Sequence, residues 1–167
     1  TLREGTPVSL ALDGGRPRVV VDGDPRRFDT VVVAAGAHTA RLLGDAGLPV
    51  PVKPYRVQAA VTERTALAGR VPQLYDATDG FYCRPRDGGL LVGDGTEPVE
   101  RDPDDWKRGA DDWFRADCTD HLAAAFGQRP ALDCSWAGLC TATPDGNPLL
   151  GERAPGVVVA AGWQGHG

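Results

Sequence analysis

Short apolar runs punctuated by glycine, proline and aspartate make up most of the chain, and one long amphipathic stretch interrupts them. Val8 to Leu12 and Arg18 to Asp22 predict two strands joined through Asp13-Gly14-Gly15, a strong hairpin signal. A second turn at Asp22-Gly23-Asp24-Pro25 leads to Phe28 and then to Val31-Val32-Val33-Ala34-Ala35-Gly36. That last run is continuous rather than alternating, as expected of a strand covered on both faces inside a parallel sheet. Small residues then open a short helix over Thr39 to Asp45, ended by Gly47 and Pro49.

Lys53 begins a strand running to about Thr62, and Leu74 to Tyr82 and Gly89 to Gly93 predict two more, with Arg86-Asp87-Gly88-Gly89 as the turn between them. Asp102-Pro103-Asp104-Asp105 reads as a helix start: a cap, proline in the first turn, and acids beside it. Trp106, Ala110, Trp113, Phe114, Cys118, Leu122, Ala125 and Phe126 follow at three- and four-residue steps until Gly127 and Pro130. This predicts a helix over about 103–126 with its aromatics in the core and His121 at the stripe's edge. A strand over Ala131 to Trp136 follows, then Leu149-Leu150, a loop with Pro155 and Gly156, a buried strand from Val157 to Ala161, and a glycine-rich loop, Gly162 to Gly167.

Composition narrows the classes. With 167 residues, 41% of them apolar, the chain has material for one core or for part of a larger one. There is no methionine, and the sequence stops inside a glycine loop, so the expectation is an internal fragment of a longer protein. The acidic balance, a net charge of -5, argues against nucleic acid or an anionic membrane surface as partner, since both need a basic face. No apolar run approaches the roughly 18 to 20 residues that span a bilayer. The four cysteines show no C-x-x-C pairing and no histidine at metal-ligand spacing, so reduced, mostly buried thiols and no metal are expected, with a cytoplasmic location.

Two places carry candidate chemistry. Tyr82, Arg84 and Arg86 alternate along a predicted strand, so one face can present a phenol and guanidinium groups to an anion. The same pattern equally describes solvated arginines at a hairpin end with a tyrosine as amphipathic cover. Ala35, Gly36 and Ala37 follow a strand and precede a helix, where small residues let main chain approach a ligand and a helix start favours phosphate. Ordinary strand-to-helix packing accounts for those residues as well. No histidine pairs with a serine or cysteine nucleophile pattern, and no carboxylate pair is poised for hydrolysis.

The segment Trp136-Ala-Gly-Leu139, then Thr143-Pro-Asp145-Gly-Asn-Pro148-Leu-Leu-Gly151, a strand and Gly162-Trp-Gln-Gly165-His-Gly167 resembles the C-terminal flavin segment of the D-amino-acid oxidase superfamily. The likeness is to its glycine oxidase, sarcosine oxidase and dimethylglycine dehydrogenase branch. Gly80 to Gly93 is similar to that family's Y-x-x-P-R-x-x-G-x-L-x-x-G hairpin, and Lys53 to Gln58 to its P-x-R-G-Q segment, with Val57 in place of the glycine. The resemblance implies a mixed α/β fold: part of a Rossmann-like FAD-binding domain (1–52 and 141–167) interleaved with an antiparallel-sheet substrate domain (53–140). It also implies non-covalent FAD. The sarcosine oxidase type of covalent cysteine falls at Gly138, and Cys140 is out of register for that bond.

On the same resemblance, Ala35, Gly36, Ala37, Gly162, Gly165, His166 and Gly167 border the cofactor. Tyr82, Arg84, Cys140 and His166 are the candidate catalytic residues, with Tyr82 reaching the substrate carboxylate. Cys140 stands where glycine oxidases carry a carboxylate-binding arginine, and would be a small polarisable wall of the substrate pocket. The implied reaction takes a hydride from the carbon next to a neutral amine to the flavin N5, with oxygen or an electron carrier as the final acceptor. Oxidation of a 2-hydroxy acid or glycerol phosphate, and a non-catalytic binding module, are the alternatives. The family's G-x-G-x-x-G turn is absent, so the isolated polypeptide is expected not to hold FAD tightly.

Overall fold

The computed structural model describes residues 1–93 and 95–165. In chain order it contains β1 (Val8–Asp13), β2 (Arg16–Val21), β3 (Asp24–Arg27), β4 (Val31–Val33), a 3-10 turn (Gly36–His38), α1 (Thr39–Asp45) and β5 (Lys53–Thr62). There follow β6 (Leu74–Asp76), β7 (Phe81–Arg86), β8 (Gly89–Gly93), β9 (Glu97–Glu100), α2 (Asp112–Phe126), β10 (Leu132–Ala142), β11 (Leu149–Ala154) and β12 (Val157–Ala161). The fold is mixed α/β, and the chain divides into two compact units, Thr1–Pro54 with Cys140–Gly167, and Tyr55–Leu139. Neither described helix is long and apolar enough to cross a membrane.

In the first unit β1, β2 and β3 form an antiparallel meander whose two turns each carry two consecutive positive φ values, Gly14 and Gly15, then Asp22 and Gly23. That is the turn geometry whose twist matches antiparallel strands, and it explains why Asp-Gly-Gly and Asp-Gly read so clearly as hairpins. A second sheet has the order β11-β12-β4, with β12 and β4 parallel. Its inner face packs Val33, Val157, Val159 and Ala161 with Leu10, Leu43 and Val52 into one apolar cluster. The expectation that the Val31 run is covered on both faces fails, because Val32 is 63% exposed. The strand stops at Val33, and its other face meets no layer among the described residues that would bury Val32.

Thr39 begins α1, is fully buried, and its hydroxyl has no hydrogen-bond partner among the described residues. A buried hydroxyl without a partner gives up its hydration for nothing. Thr39→Val is therefore expected to keep or raise stability, by up to about 1 kcal/mol, in a thermal melt.

The second unit is built on a six-stranded sheet of order β10-β5-β8-β7-β6, with β9 also paired to β5. Phe81, Cys83, Leu90, Val92 and Ala60 face Phe114, Cys118 and Leu122 of α2 in its core. Burial pushes the Cys118 thiol up to about 12, with the Asp117 charge adding to it, and burial also raises Cys83. Cys134 is exposed and Cys140 half-buried, and no disulfide joins cysteines among the described residues. His121 stacks on Phe81 at 4.9 Å and lies 3.4 Å from Asp117, a packing role at the helix edge.

Two sequence expectations are corrected in this unit. The run Leu74 to Tyr82 is not one strand: a turn at 77–80, with Gly80 at φ 63°, separates β6 from β7. The helix does not start near 103 but at Asp112, with Asp111 before it in extended backbone and no side-chain capping bond. Buried Arg56 is the physical reason. Its Nε donates to the Lys107 carbonyl at 2.8 Å and its Nη2 to the Gly109 carbonyl at 2.5 Å. Those are acceptors that a helix through 107–113 would need for its own ladder. Trp106 and Ala110 consequently lie outside the helix, and Trp113 is 53% exposed rather than in the core.

The strict alternation of β5 explains how Arg56 comes to be inside: Pro54, Arg56, Gln58, Ala60 and Thr62 all point inward. Polar groups in the interior must be paired. Arg56 meets Glu97 and, at 2.6 Å, Asp111, while the Gln58 side-chain Oε1 accepts from the Asp111 backbone N–H at 2.7 Å. Lys107 and Arg101 supply further positive charge to Asp111 and Glu97 respectively. For Arg56, burial works against the charge, but the Asp111 and Glu97 hydrogen bonds outweigh it and hold the guanidinium protonated.

Lys107, then Arg56, holds the Asp111 carboxyl below its ordinary value of 3.8. A carboxyl depressed in the folded state contributes stability above its unfolded pKa and loses it as pH falls through the folded one. Asp111→Asn is thus expected to lower the urea midpoint at pH 7, with the gap to wild type closing as the pH falls from the ordinary 3.8 through the lower folded-state pKa.

Candidate functional site

The parallel pairing of β4 with β12 is the geometric fact around which the first unit's candidate residues gather. Val31, Val32 and Val33 lie beside Val157, Val158 and Val159, so both strands run to the same end of the sheet. Ligands of such sheets bind outside the carboxyl ends of the strands. From β4 the chain passes through Ala35, Gly36 and Ala37, with Gly36 at φ 52° and the His38 N–H donating to the Ala35 carbonyl at 3.0 Å. A side chain added at Gly36 would meet nothing within 4 Å, so open space lies over this corner.

From β12 the chain passes into Gly162, at φ 83°, then Gln164 at 49° and Gly165 at 80°. Gly162 is required twice over: its φ lies in the left-handed region, and a Cβ there would collide with the Thr143 methyl. The loop is tied from behind, with the Gln164 N–H donating to the Thr141 carbonyl at 3.0 Å. Thr143 in turn donates to the Asn147 carbonyl at 2.7 Å. Asp145 organises that turn, and the Asn147 backbone N–H, then its side-chain amide, holds the Asp145 carboxyl below the ordinary range. Cys140 backs the same loop, its Sγ 3.5 Å from where a Cβ of Gly165 would stand.

Ala35, Gly36, Ala37, Gly162, Gly165 and Cys140 are therefore brought to one region of the first unit. His166 and Gly167 lie outside the described residues. Bare main chain from two adjacent strand exits, with space above Gly36, fits a flat ring carried by a dinucleotide.

Tyr82 and Arg84 belong to the second unit. On β7, Phe81 and Cys83 are buried in the core while Arg84 and Arg86 are exposed and Tyr82 is half-buried, so the expected alternation holds. Arg84 has neither an ion pair nor a hydrogen bond among the described residues, in contrast to Arg86, which lies 3.6 Å from Asp87 and 6.0 Å from the Trp136 ring. Tyr82 stands directly opposite Tyr75 on one side and Gly93 on the other. Gly93 was missed by sequence reasoning. The signal was present: a two-residue turn at Asp87-Gly88 fixes the pairs Arg86 with Gly89, Arg84 with Leu91, and Tyr82 with Gly93.

Comparison with known proteins places this fold and these strand exits in a family of flavin-dependent oxidoreductases. The family model described as DAO, FAD dependent oxidoreductase, matches residues 1–167, and the chain belongs to that family. It is 31% identical over 127 residues to a glycine oxidase of Pseudomonas aeruginosa, covering 75% of this chain and 33% of the relative. It is likewise 31% identical over 129 residues to a glycine oxidase of Pseudomonas putida, covering 74% and 32%. Among solved structures, glycine oxidase from Geobacillus kaustophilus superposes with a TM-score of 0.79 at 27% identity, over 98% of this chain and 44% of that one. L-proline dehydrogenase from P. horikoshii superposes at 0.83 with 24% identity, over 100% and 46%, a likeness of fold. The chain thus spans about a third of the length of the curated relatives it matches.

Proposed function

We propose that this chain carries the flavin-facing and substrate-facing parts of an FAD-dependent oxidoreductase that oxidises an amine or amino acid bearing an anionic group. The carrying observation is the exit of Ala35-Gly36-Ala37 and Gly162–Gly165 from the same end of two adjacent parallel strands. In this reading Thr1–Pro54 with Cys140–Gly167 holds the cofactor without a covalent bond, and Tyr55–Leu139 holds the substrate. Ala35, Gly36 and Ala37 border the dinucleotide through main chain, and Gly162, Gly165, His166 and Gly167 border the ring. FAD, when bound, supplies the acceptor for two electrons from the carbon next to the amine nitrogen.

The chain's own residues have limited tasks. Tyr82 donates its phenol hydrogen to the substrate's anionic end, and Arg84 pairs with that charge. Backbone N–H groups of the glycine loop favour negative charge where it develops. Cys140 is a small wall beside that loop and leaves room where a larger side chain would not. None of these residues must move a proton, provided the amine binds neutral and water is kept from the reacting carbon.

The test is turnover by the FAD-loaded enzyme on sarcosine, glycine, L-proline, a 2-hydroxy acid and glycerol phosphate, following both peroxide and reduction of an artificial acceptor. Oxidation of at least one amine is expected, and the two readouts distinguish oxygen from a carrier as final acceptor. Turnover confined to the hydroxy acid or glycerol phosphate, or no turnover at all, contradicts the proposal.

A further inference from the structure

Gly93 closes β8 directly opposite Tyr82 in the antiparallel register. A Cβ built there would stand 2.5 Å from Tyr82 Cζ and 2.8 Å from its hydroxyl oxygen, far inside van der Waals contact. The phenol ring therefore lies across the neighbouring strand, over a bare Cα. Most glycines of this chain sit at positive φ, where the backbone itself asks for glycine, but Gly93 does not. Its backbone suits any residue, and what excludes a side chain is the Tyr82 ring. On the opposite flank Tyr75 is 64% exposed, so the ring leans away from a residue that leaves it room and onto the one position that carries no side chain. A tyrosine on a sheet face has several rotamers available; one seated in this slot presents its hydroxyl at a fixed place.

We infer that Gly93 is a positioning residue for Tyr82: the missing side chain sets where the phenol hydroxyl meets the anionic end of the substrate. The inference rests on the reading of Tyr82 as a substrate-binding residue. A methyl group at position 93 lifts the ring and moves the hydroxyl out of hydrogen-bond range while leaving Arg84, two residues along the same strand, in place.

The experiment is a double-mutant cycle of Gly93→Ala and Tyr82→Ala in the FAD-loaded enzyme. Acetate is the carboxylate probe, titrated through the flavin absorbance, and the thermal midpoint of each variant is recorded alongside. Gly93→Ala is expected to weaken acetate about tenfold, the weight of one hydrogen bond to a charged group, and to lower the midpoint. With Tyr82→Ala present, Gly93→Ala should change neither, because the ring that it displaces is gone. An acetate effect of Gly93→Ala that persists without the Tyr82 ring overturns the inference. So does wild-type behaviour of Gly93→Ala where Tyr82→Ala alone weakens acetate. Should Tyr82→Ala leave acetate binding unchanged, the reading of Tyr82 fails instead, and a surviving thermal coupling would mark Gly93 as a packing partner alone. The thermal cycle needs no ligand, and it decides the ring contact even where Gly93→Ala binds FAD poorly.

Discussion

Arg56→Ala is expected to cost the Tyr55–Leu139 unit about 3 kcal/mol or more, the largest stability loss of any single substitution considered for this chain. The side chain is 4% exposed and its guanidinium serves four partners: Glu97, Asp111, and the carbonyls of Lys107 and Gly109. Removing it leaves two carboxylates facing each other across a vacated site and two carbonyls without their donor. It also loosens the segment before α2, which would keep the Asp111 N–H to Gln58 and the Ala137 N–H to the Arg108 carbonyl but lose its ties to the guanidinium. Arg56→Lys should recover little, because one ammonium cannot reach four acceptors laid out for a planar fork. Urea denaturation followed by tryptophan fluorescence checks this, and a loss below about 1 kcal/mol for Arg56→Ala would mean that Lys107 and Arg101 carry the cluster instead.

Gly162→Val is expected to weaken FAD retention tenfold or more while leaving the remainder of the fold intact. A β-branched residue is strained at φ 83°, and its Cβ would drive into the Thr143 side chain, which is itself fixed by the Asn147 carbonyl. The loop must then leave the end of β12, taking the main chain of Gly165 with it. The expected loss is tenfold or more in FAD affinity, from roughly 1 to 2 kcal/mol of backbone strain together with the lost contacts. Gly23→Val is the control: Gly23 also has φ 83°, but it lies in the β2–β3 turn and has nothing within 4 Å of its Cβ position. It should lower stability and leave the FAD content of the folded protein as it is. Equal flavin content in Gly162→Val and wild type would remove the loop from the cofactor site.

Where local chemistry decided the structure, the sequence was legible. Asp13-Gly14-Gly15 and Asp22-Gly23 demanded turns with two positive φ values, and α1 ended at Gly47 and Pro49 as its composition required. The alternation of Tyr82, Arg84 and Arg86 was legible, because a strand's two faces are fixed by its period. The false helix start shows the opposite case. Asp102-Pro103-Asp104-Asp105 is a good local signal, yet Arg56, from a strand far back in the chain, takes the carbonyls that a helix there would need. In place of a cap, Asp102 makes a turn, accepting the Asp104 N–H at 2.9 Å. Pairing between β4 and β12 was equally out of reach of local reading, since no turn joins them and their register depends on packing alone. Gly93 lay between the two: the hairpin arithmetic pointed to it, and its consequence appeared once the Tyr82 ring could be seen lying over it.

The central claim is that main chain from two strand exits, Ala35 to Ala37 and Gly162 to Gly165, borders one bound flavin. Amide hydrogen exchange on the FAD-loaded enzyme and on the same enzyme stripped of FAD addresses it most directly. FAD loading should slow exchange in both segments together, while the β1–β2 hairpin turn at Gly14-Gly15 is unaffected. Protection of one segment without the other, or of neither, would contradict the claim.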